Sequence, residues 1–541
     1  QFAPSRSRLR CHRVLRLPAQ NRGPMLHTIR LAALSGWQGV ETGFDRLFGP
    51  GANPLRHLGA LGFLLFWLVA ASGIYLYAVL DTSVAGAYQS IEHLSRDQWY
   101  FGGIIRSLHR YASDGFLLVM VLHLVRELLH GRLHGFRWFT WVSGVPLLWL
   151  SVGAGVVGFW IVWDRLAQFS AIASMEWLDA LRLFAEPLTR NFLTPGAVND
   201  RFFSLLVFLH IGLPLLVLLG LWIHIQRISR PDTQPVPPLA LGTLAALIAL
   251  SVAAPVQSLP AADLATAPTE LQLDWFYLAP NVLIYLWSPA SLWWLAAGVT
   301  VVLVTLPWMP RERRQPAAVV DPANCNGCER CVADCPYAAI TMQPRFDGRA
   351  GARLAVVDPA LCASCGICAG ACPSSTPFRS IAELVSGIDM PQLPIGQLRS
   401  RLKIQVARLR GKAKVVVFGC DHAADVRPLQ APDTAVASLL CAGQLPPSFV
   451  EYALREGAGG VLVTGCRECD CAFRLGDVWT EQRLRGEREP HLRRTISSRQ
   501  LRVVWAGRDS ARIERELAQF REHLEQGQIG IQARAEGSGC A

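Results

Sequence analysis

Two pairs of histidines lie in apolar stretches of this sequence, and both pairs have the same spacing. His109 and His123 are fourteen residues apart, and so are His210 and His224. On an α-helix fourteen residues advance about 21 Å and complete almost four turns, so each pair shares one helix face at two depths. Polar groups in an apolar helix are costly and need a partner such as a metal. The spacing favours bis-imidazole ligation of two stacked haems, whereas a lone histidine would be read as a hydrogen-bonded core residue.

Two pairs of glycines repeat this interval in other apolar stretches. Gly59 and Gly73 are fourteen residues apart, and so are Gly144 and Gly158. Glycine allows a close approach to the backbone, so the shared interval fits two flat porphyrins at two levels. The alternative is that these glycines are contact points between packed helices.

Eight cysteines form two runs of the pattern C-x2-C-x2-C-x3-C-P, "CNGCERCVADCP" and "CASCGICAGACP". In paired runs of this kind three cysteines hold one cubane and the fourth reaches across to the other. Zinc is the alternative, but zinc ribbons have paired C-x2-C knuckles without the third cysteine and the proline. Residues 317–378 resemble the bacterial two-cluster ferredoxins. The ligands assigned to one [4Fe–4S] cluster are Cys325, Cys328, Cys331 and Cys372, and those of the second are Cys335, Cys362, Cys365 and Cys368.

Membrane helices must hold the histidines and glycines at their levels. The chain has 541 residues, of which 51% are hydrophobic, and this hydrophobicity is concentrated in the first 310. No inverted repeat or pair of broken helices indicates a transporter. Six windows of about 20 mostly apolar residues are long enough to span a bilayer. They lie at 58–78, 104–129, 138–161, 203–226, 238–257 and 290–309.

The net charge of +11 does not indicate nucleic acid, because of where the arginines lie. They gather in "HGRLHGFR", "QRISR" and "PRERR", after the second, fourth and sixth spans. By the positive-inside rule both termini and the cysteine-rich segments face the cytoplasm, which predicts the inner membrane of a prokaryote. Disulfides are disfavoured there. Residues 1–24 lack a signal-peptide core, and residues 36–48 predict an amphipathic helix on the inner membrane surface.

Residues 26–310 resemble cytochrome b of the quinol-oxidising bc complexes. The resemblance rests on the glycine pairs and on the runs "RSLHRYASDGFLLVMVLHLVR" and "RFFSLLVFLHIGLPLLVLLGLWIH". It implies that His109 pairs with His210 at an outer haem and His123 with His224 at an inner haem. The second and fourth spans both run from outside to inside, which gives the same pairs.

The same resemblance implies roles for three charged residues. Arg106 and Arg126 match family positions beside haem propionates, with snorkelling to the interface as the alternative. At 273–276, Leu-Asp-Trp-Phe stands where the family usually has Pro-Glu-Trp-Tyr at its outer quinol site. Asp274 is therefore the candidate acceptor of a proton from quinol. The alternative is an interfacial acid beside an aromatic-belt tryptophan.

The C-terminal region predicts a small α/β domain. "KVVVFGC", "GGVLVTGC" and "LRVVWAG" are typical of buried parallel strands, with the helical "PPSFVEYALREGA" between them. Residues 412–510 resemble the delta iron–sulfur subunit of methyl-viologen-reducing hydrogenases, which implies a [2Fe–2S] cluster and a soluble redox partner. A structural zinc or a redox-active dithiol is the other interpretation. The assigned ligands are Cys420, Cys441, Cys466 and Cys471, with Cys469 as an alternative ligand.

These features predict a multi-domain protein. It combines an all-α transmembrane bundle of about six spans around a di-haem four-helix core, an α+β ferredoxin domain and a small C-terminal α/β domain. The predicted boundaries are 1–55 for a tail and surface helix, 56–310 for the membrane domain, 311–380 for the ferredoxin, 381–411 for a helical linker and 412–541 for the [2Fe–2S] domain with its tail.

The order of the domains predicts an integral electron-transfer subunit between a cytoplasmic redox partner and the quinone pool. Its carriers would form a line from the cytoplasm into the membrane, with the C-terminal cluster domain outermost, followed by the two cubanes, the inner haem, the outer haem and a quinone site. The partner would be a flavoprotein, a dehydrogenase or a hydrogenase subunit, and the bc-type resemblance suggests a homodimeric core in a larger complex. One alternative is quinol oxidation at the outer site, with one electron passed to a high-potential outer acceptor and the other to a cytoplasmic acceptor. A second alternative makes the C-terminal domain a zinc or thiol module for docking or sensing.

Overall fold

The first half of the protein is helical. The computed structural model describes residues 24–526 except 184–186, 188–192, 194–196, 267–269, 275, 310–314, 346–352 and 494–495. Trp275 of the predicted quinol segment therefore lies outside the described residues. Seven helices of the described residues come first: α1 Pro24–Phe48, α2 Leu58–Val79, α3 Ala87–Arg96, α4 Ile104–His130, α5 Trp138–Val162, α6 Arg165–Asp179 and α7 Asp200–Ile225.

Four of these helices form the bundle that holds the histidines and glycines. Helix α2 packs mainly on α4, and α5 packs mainly on α7. The segment predicted as a surface helix falls within α1, which contacts α4. Three further helices complete this half: α8 Pro237–Ala253, α9 Ala279–Leu286 and α10 Pro289–Thr305.

Four helices within the described ranges are long and apolar enough to cross a membrane: Leu58–Val79, Gly135–Val162, Asp200–Ile225 and Pro289–Trp308. The other two expected spans differ for separate reasons. Helix α4 has 27 residues, which is ample length, but it carries charged side chains at both ends. Helix α8 is apolar but has only 17 residues. The all-α membrane domain is confirmed, with α4 paired to α2 inside the bundle.

The ferredoxin domain is a small α+β unit, as predicted. Strands β1 Val319–Val320 and β4 Ile388–Asp389 pair antiparallel, and β2 Ile340–Pro344 pairs antiparallel with β3 Arg353–Val357. Its short helices α11 Arg330–Ala333 and α12 Ile367–Ala371 each begin inside one of the cysteine runs.

The C-terminal domain is a parallel four-stranded sheet in the order β6-β5-β7-β8. The strands are β5 Val415–Cys420, β6 Thr434–Leu439, β7 Gly460–Thr464 and β8 Leu501–Val504. Three of them match the predicted strands. Strand β6 was not predicted, because its small residues "TAVASL" give little hydrophobic signal.

Helices cover both faces of this sheet. They are α13 Ile395–Ala407, α14 Ser448–Arg455, α15 Gly476–Arg485 and α16 Ser510–Gln526. Helix α13 falls in the predicted linker, yet Leu398, Leu402 and Val406 are buried in the C-terminal core. This segment therefore belongs to the domain and is not a solvated connector.

Both cysteine-rich domains lie against one end of the bundle, where α4 ends at His130. We call this the proximal end, and the opposite end the distal end. Phe136, in the connection after α4, packs against Tyr337 of the ferredoxin with ring centroids 4.4 Å apart and the rings tilted by 60°. Arg137 reaches both domains, through the Tyr337 hydroxyl and the backbone oxygen of Ala472. The three domains therefore meet at the proximal end.

Candidate metal centres

The four histidines lie at two levels, in the predicted pairs. At the distal level the rings of His109 and His210 face each other with centroids 6.2 Å apart. At the proximal level His123 and His224 line one cavity of about 400 Å³. Each pair takes one imidazole from α4 and one from α7, because these helices run in the same direction with equal histidine spacing.

Hydrogen bonds fix the orientation of three imidazoles. Nδ1 of His109 is 3.0 Å from the Val69 backbone oxygen, and Nδ1 of His210 is 2.9 Å from that of Ala154. A carbonyl oxygen only accepts, so Nδ1 of both rings carries the proton and Nε2 keeps its lone pair. Nδ1 of His224 is 3.1 Å from the Ser143 hydroxyl. Histidines that bind metals typically have such a partner on the second nitrogen. The donor set fits axial haem ligands.

Each glycine of the two pairs faces one of these imidazoles. A Cβ atom would lie 3.0 Å from Cε1 of His109 at Gly73, and 2.8 Å from Cε1 of His210 at Gly158. At the proximal level it would lie 3.9 Å from His123 at Gly59 and 3.3 Å from His224 at Gly144. Side chains at the distal glycines would therefore collide with the rings, which fits a cradle for a flat group between the helices.

Two polar residues of the proximal cavity were not found from the sequence. His57 and Asp232 both line it, and Nδ1 of His57 is 3.5 Å from a carboxylate oxygen of Asp232. The Nε2 atom of His57 is buried and makes no hydrogen bond within the described part of the chain. The two lie in loops 175 positions apart in the sequence, so no local pattern links them.

The two arginines expected beside haem propionates are buried and have protein partners. Arg106 donates to the hydroxyls of Ser95 and Ser258 at the distal end. Arg126 lines the proximal cavity and donates to Glu41 at 2.9 Å and to Asp470 at 3.0 Å. Their role toward propionates stays a prediction.

The ferredoxin cysteines form the two predicted groups. One group lines a pocket together with Gly327 and Met342. The second is buried, apart from Cys362, which is partly exposed. Left-handed backbone at Glu329 and Gly366 lets each run turn back after its second cysteine. The first group is Cys325, Cys328, Cys331 and Cys372, and the second is Cys335, Cys362, Cys365 and Cys368.

The C-terminal domain brings four thiols into one ring. Cys420 neighbours Cys441 and Cys466, and Cys471 neighbours the same two. Hydrogen bonds from Cys441 and Cys466 hold the pKa of the Cys420 thiol well below its usual range. These are the four residues assigned from the sequence. The alternative, Cys469, is disulfide-bonded and has a left-handed backbone with φ of 57°.

A buried ionic cluster joins the C-terminal domain to the bundle beside these thiols. Asp470 accepts hydrogen bonds from Arg126 and Arg132 of the bundle. His130 and Glu41 complete the cluster. Burial alone would raise the pKa of Asp470, but the charges of Arg132 and Arg126 and a hydrogen bond from His130 hold it well below its usual range. No local sequence pattern predicts this cluster, since Asp470 and Arg126 are 344 positions apart.

Asp274, the expected proton acceptor, lies at the distal end in an ion pair with Arg110. Arg110 also pairs with Asp114 and lies over the Phe159 ring at 4.6 Å. The backbone N–H of Tyr277 donates to Asp274 at 2.8 Å. Both carboxylate oxygens of Asp274 therefore have protein partners, Arg110 on one and the Tyr277 backbone on the other.

Comparisons with known proteins agree with this architecture. Residues 48–230 match the family model described as cytochrome b/b6/petB. Cytochrome b6 of Porphyra purpurea is 32% identical over 187 residues, which cover 34% of this chain and 84% of that protein. The chain belongs to the cytochrome b family. The remainder of this cytochrome b matches two other models, a 4Fe-4S dicluster domain at 324–376 and the delta subunit of methyl-viologen-reducing hydrogenase at 413–527.

A solved structure titled "Hyperthermophilic respiratory Complex III" aligns with 47% of this chain and 75% of its own, at 17% identity and a TM-score of 0.40. A structural similarity at this level supports no inference about function. The family membership and the apolar helices show that this cytochrome b is a multi-pass membrane protein that transfers electrons. Haem b and iron–sulfur clusters are the cofactors that its domains imply.

Proposed function

We propose that this cytochrome b is a quinone-linked electron-transfer subunit between a soluble redox partner and the quinone pool. Two haems b, two [4Fe–4S] clusters and one [2Fe–2S] cluster would supply one-electron carriage when bound. The chain supplies the ligands, the spacing and surroundings that exclude water. The histidine pairs would hold the haems, the two ferredoxin groups the cubanes, and the C-terminal ring of thiols the [2Fe–2S] cluster.

The proximal cavity carries this proposal, because all three domains line it. His123 and His224 come from the bundle, Tyr337 and Leu361 from the ferredoxin, and Cys471 from the C-terminal domain. Leu361 is adjacent to the ferredoxin ligand Cys362. Candidate ligands of two metal sites thus line one cavity, and a candidate ligand of a third site is adjacent to one of its lining residues. Short separation is the main requirement for electron transfer between such sites.

The proposed orientation places the proximal end in the cytoplasm. Arg132, Arg137, Arg227 and Arg230 all line the cavity at this end, as the positive-inside rule expects of a cytoplasmic face. The protein would then lie in the inner membrane of a prokaryote, with both termini in the cytoplasm. Its partner would be a flavoprotein, dehydrogenase or hydrogenase subunit, and the bundle would form a homodimer in a larger complex.

The haem assignment is tested by His224→Ala in the purified protein. We expect the b-type α band of the dithionite-reduced sample to fall to about half, since one of two haem levels loses an axial ligand. His93→Ala is the matched control, because this histidine is exposed and pairs with Asp97. A reduced sample without a b-type band, or full haem binding by the His224 variant, would refute the proposal.

Metal analysis tests the cluster assignment. The full set of haems and clusters contains about twelve iron atoms per chain. About ten iron atoms with one zinc would instead favour the docking or sensing module, in which the thiol ring of the C-terminal domain holds zinc.

The distal ion pair supports a second candidate function, quinol oxidation of the bc type. Asp274 lies on the segment between α8 and α9, and Arg110 is adjacent to the distal ligand His109. In this version Asp274 accepts a proton from quinol while a high-potential outer protein takes one electron. Asp274→Asn should then abolish quinol-dependent reduction of such an acceptor without loss of either haem. Native complexes that lack a high-potential subunit would exclude this version.

A further inference from the structure

The four thiols of the C-terminal domain are covered on every side. Cys420, Cys441, Cys466 and Cys471 have only 2%, 1%, 7% and 5% of their surface exposed. The sequence order, with this domain at the chain end, suggested that it would be the outermost redox site. Its burial in the assembled chain is the opposite of what an outermost site needs.

The ferredoxin covers one side of this thiol ring. Its helix α12, which carries Cys368, packs on the loop Ala442–Gln444 that follows Cys441. The side chain of Gln444 is completely buried against Gly366. A buried ion pair between Asp334 and Arg483 fixes the same interface, and Arg483 also donates to the Gly443 oxygen at 2.9 Å.

The membrane domain covers the other side. Arg56 donates to the backbone oxygen of Glu468 at 2.8 Å, and Arg137 donates to that of Ala472. In the reverse direction, Arg474 donates to the backbone oxygen of Ser229 at 2.8 Å. The loop from 467 to 474, which contains Cys471, is thereby enclosed between the bundle and its own domain.

The first ferredoxin group, in contrast to the C-terminal thiols, has a cysteine at the protein surface. Cys328 is exposed, whereas the other eleven cysteines of the three groups are buried or only partly exposed. Next to it, Glu329 and Arg353 form an ion pair in which the side chains are 53% and 56% exposed. The short helix α11 beside this edge packs mainly on α12 and β2 of the ferredoxin itself. A soluble protein can therefore approach the first group closely.

We propose that a soluble one-electron carrier docks on the ferredoxin surface around Cys328, and that the C-terminal thiol ring is an internal site between the ferredoxin and the proximal haem level. This inference rests on the proposed function and reverses the order that the sequence suggested. When electrons flow toward the membrane, the carrier loses one electron and the protein gains it. No bond forms or breaks and no proton is transferred at the surface.

Two variants test the docking site, each with a bulky polymer attached at one surface position. Arg353→Cys lies on the ferredoxin edge, and Arg427→Cys lies on the C-terminal domain, where the native arginine is 80% exposed and also pairs with a single acid, Asp425. Both variants and the parent are treated with a maleimide-linked polyethylene glycol in the holoprotein. Haem reduction by flavodoxin hydroquinone is then followed at the b-type α band by stopped flow.

We expect the Arg353 block to slow haem reduction by flavodoxin at least about tenfold, because the polymer excludes the carrier from its docking surface. The Arg427 block should leave the rate equal to that of the treated parent. Equal rates in all three samples, or slowing by the Arg427 block alone, would overturn the inference.

Reduction by dithionite distinguishes a failure of this inference from a failure of the proposed function. A small reductant needs no docking surface, so it should reduce both haems in every blocked sample at the parental rate. If dithionite yields no b-type band even in the parent, the proposed function fails. If the bands are normal and only the flavodoxin result is wrong, the docking surface alone fails.

Discussion

Replacement of Asp470 by asparagine should loosen the contact between the C-terminal domain and the bundle. The carboxylate of Asp470 is shared by Arg126, Arg132 and His130. Removal of one partner from a buried ion pair costs about 3–5 kcal/mol. Arg126 retains Glu41 at 2.9 Å and Arg132 retains Glu127 at 3.7 Å, so the lower end of this range applies. About 3 kcal/mol corresponds to roughly a hundredfold increase in local opening.

Amide hydrogen exchange measures this opening directly. Peptides that span the loop from 467 to 474 should exchange about a hundredfold faster in Asp470→Asn than in the parent, if exchange follows the opening equilibrium. Peptides from the sheet core, such as β5, should keep their protection because the domain itself stays folded. Haem bands recorded on the same sample show whether the bundle is intact.

Asp425→Asn is the matched control. Asp425 pairs with Arg427 at the surface of the same domain, where 48% of the acid and 80% of the arginine are exposed. Exposed pairs contribute little to stability, so exchange should not change. If the 467–474 loop of Asp470→Asn exchanges its amide hydrogens at the parental rate, the ionic cluster does not hold the domains together. The reasoning about their contact would then be wrong.

Two further predictions concern the metal sites. Gly158→Ala should lower haem content at the distal level, because its Cβ would lie 2.8 Å from His210, whereas Gly153→Ala on the same helix meets only ordinary contact at 3.7 Å and should keep both haems. Haem per chain, measured after extraction, distinguishes the two variants. Cys420→Ser should remove the [2Fe–2S] signal in electron paramagnetic resonance spectra, whereas Cys469→Ser should keep it. If both variants lose the signal, Cys469 is a ligand as well.

The grouping of the candidate ligands could be predicted because each set depends on short-range regularity. Equal intervals of fourteen residues on two helices that run in the same direction are enough to place His109 opposite His210 and His123 opposite His224. The cysteine runs are similarly local, since each fits within twelve residues. In both cases the spacing along the chain directly determines the spacing in space.

The contacts between domains could not be predicted, for the same physical reason. Asp470 meets Arg126, and Arg110 meets Asp274, across separations of 344 and 164 residues. Nothing periodic connects such pairs, and a charged residue at a helix end has many plausible partners. The burial of the C-terminal thiols also depends on these contacts, so the sequence suggested an outermost position for a site that is internal.

The arrangement at the proximal cavity constrains how the protein is assembled. Asp470, Cys471 and Arg474 form part of the cavity wall, so the cavity is covered by a domain that is synthesised after the bundle. A porphyrin arriving after this domain has docked would have to break the contacts of Arg126 and Arg132 to reach His123. We therefore expect the proximal haem to be loaded before the C-terminal domain docks, so that docking takes place on a filled bundle.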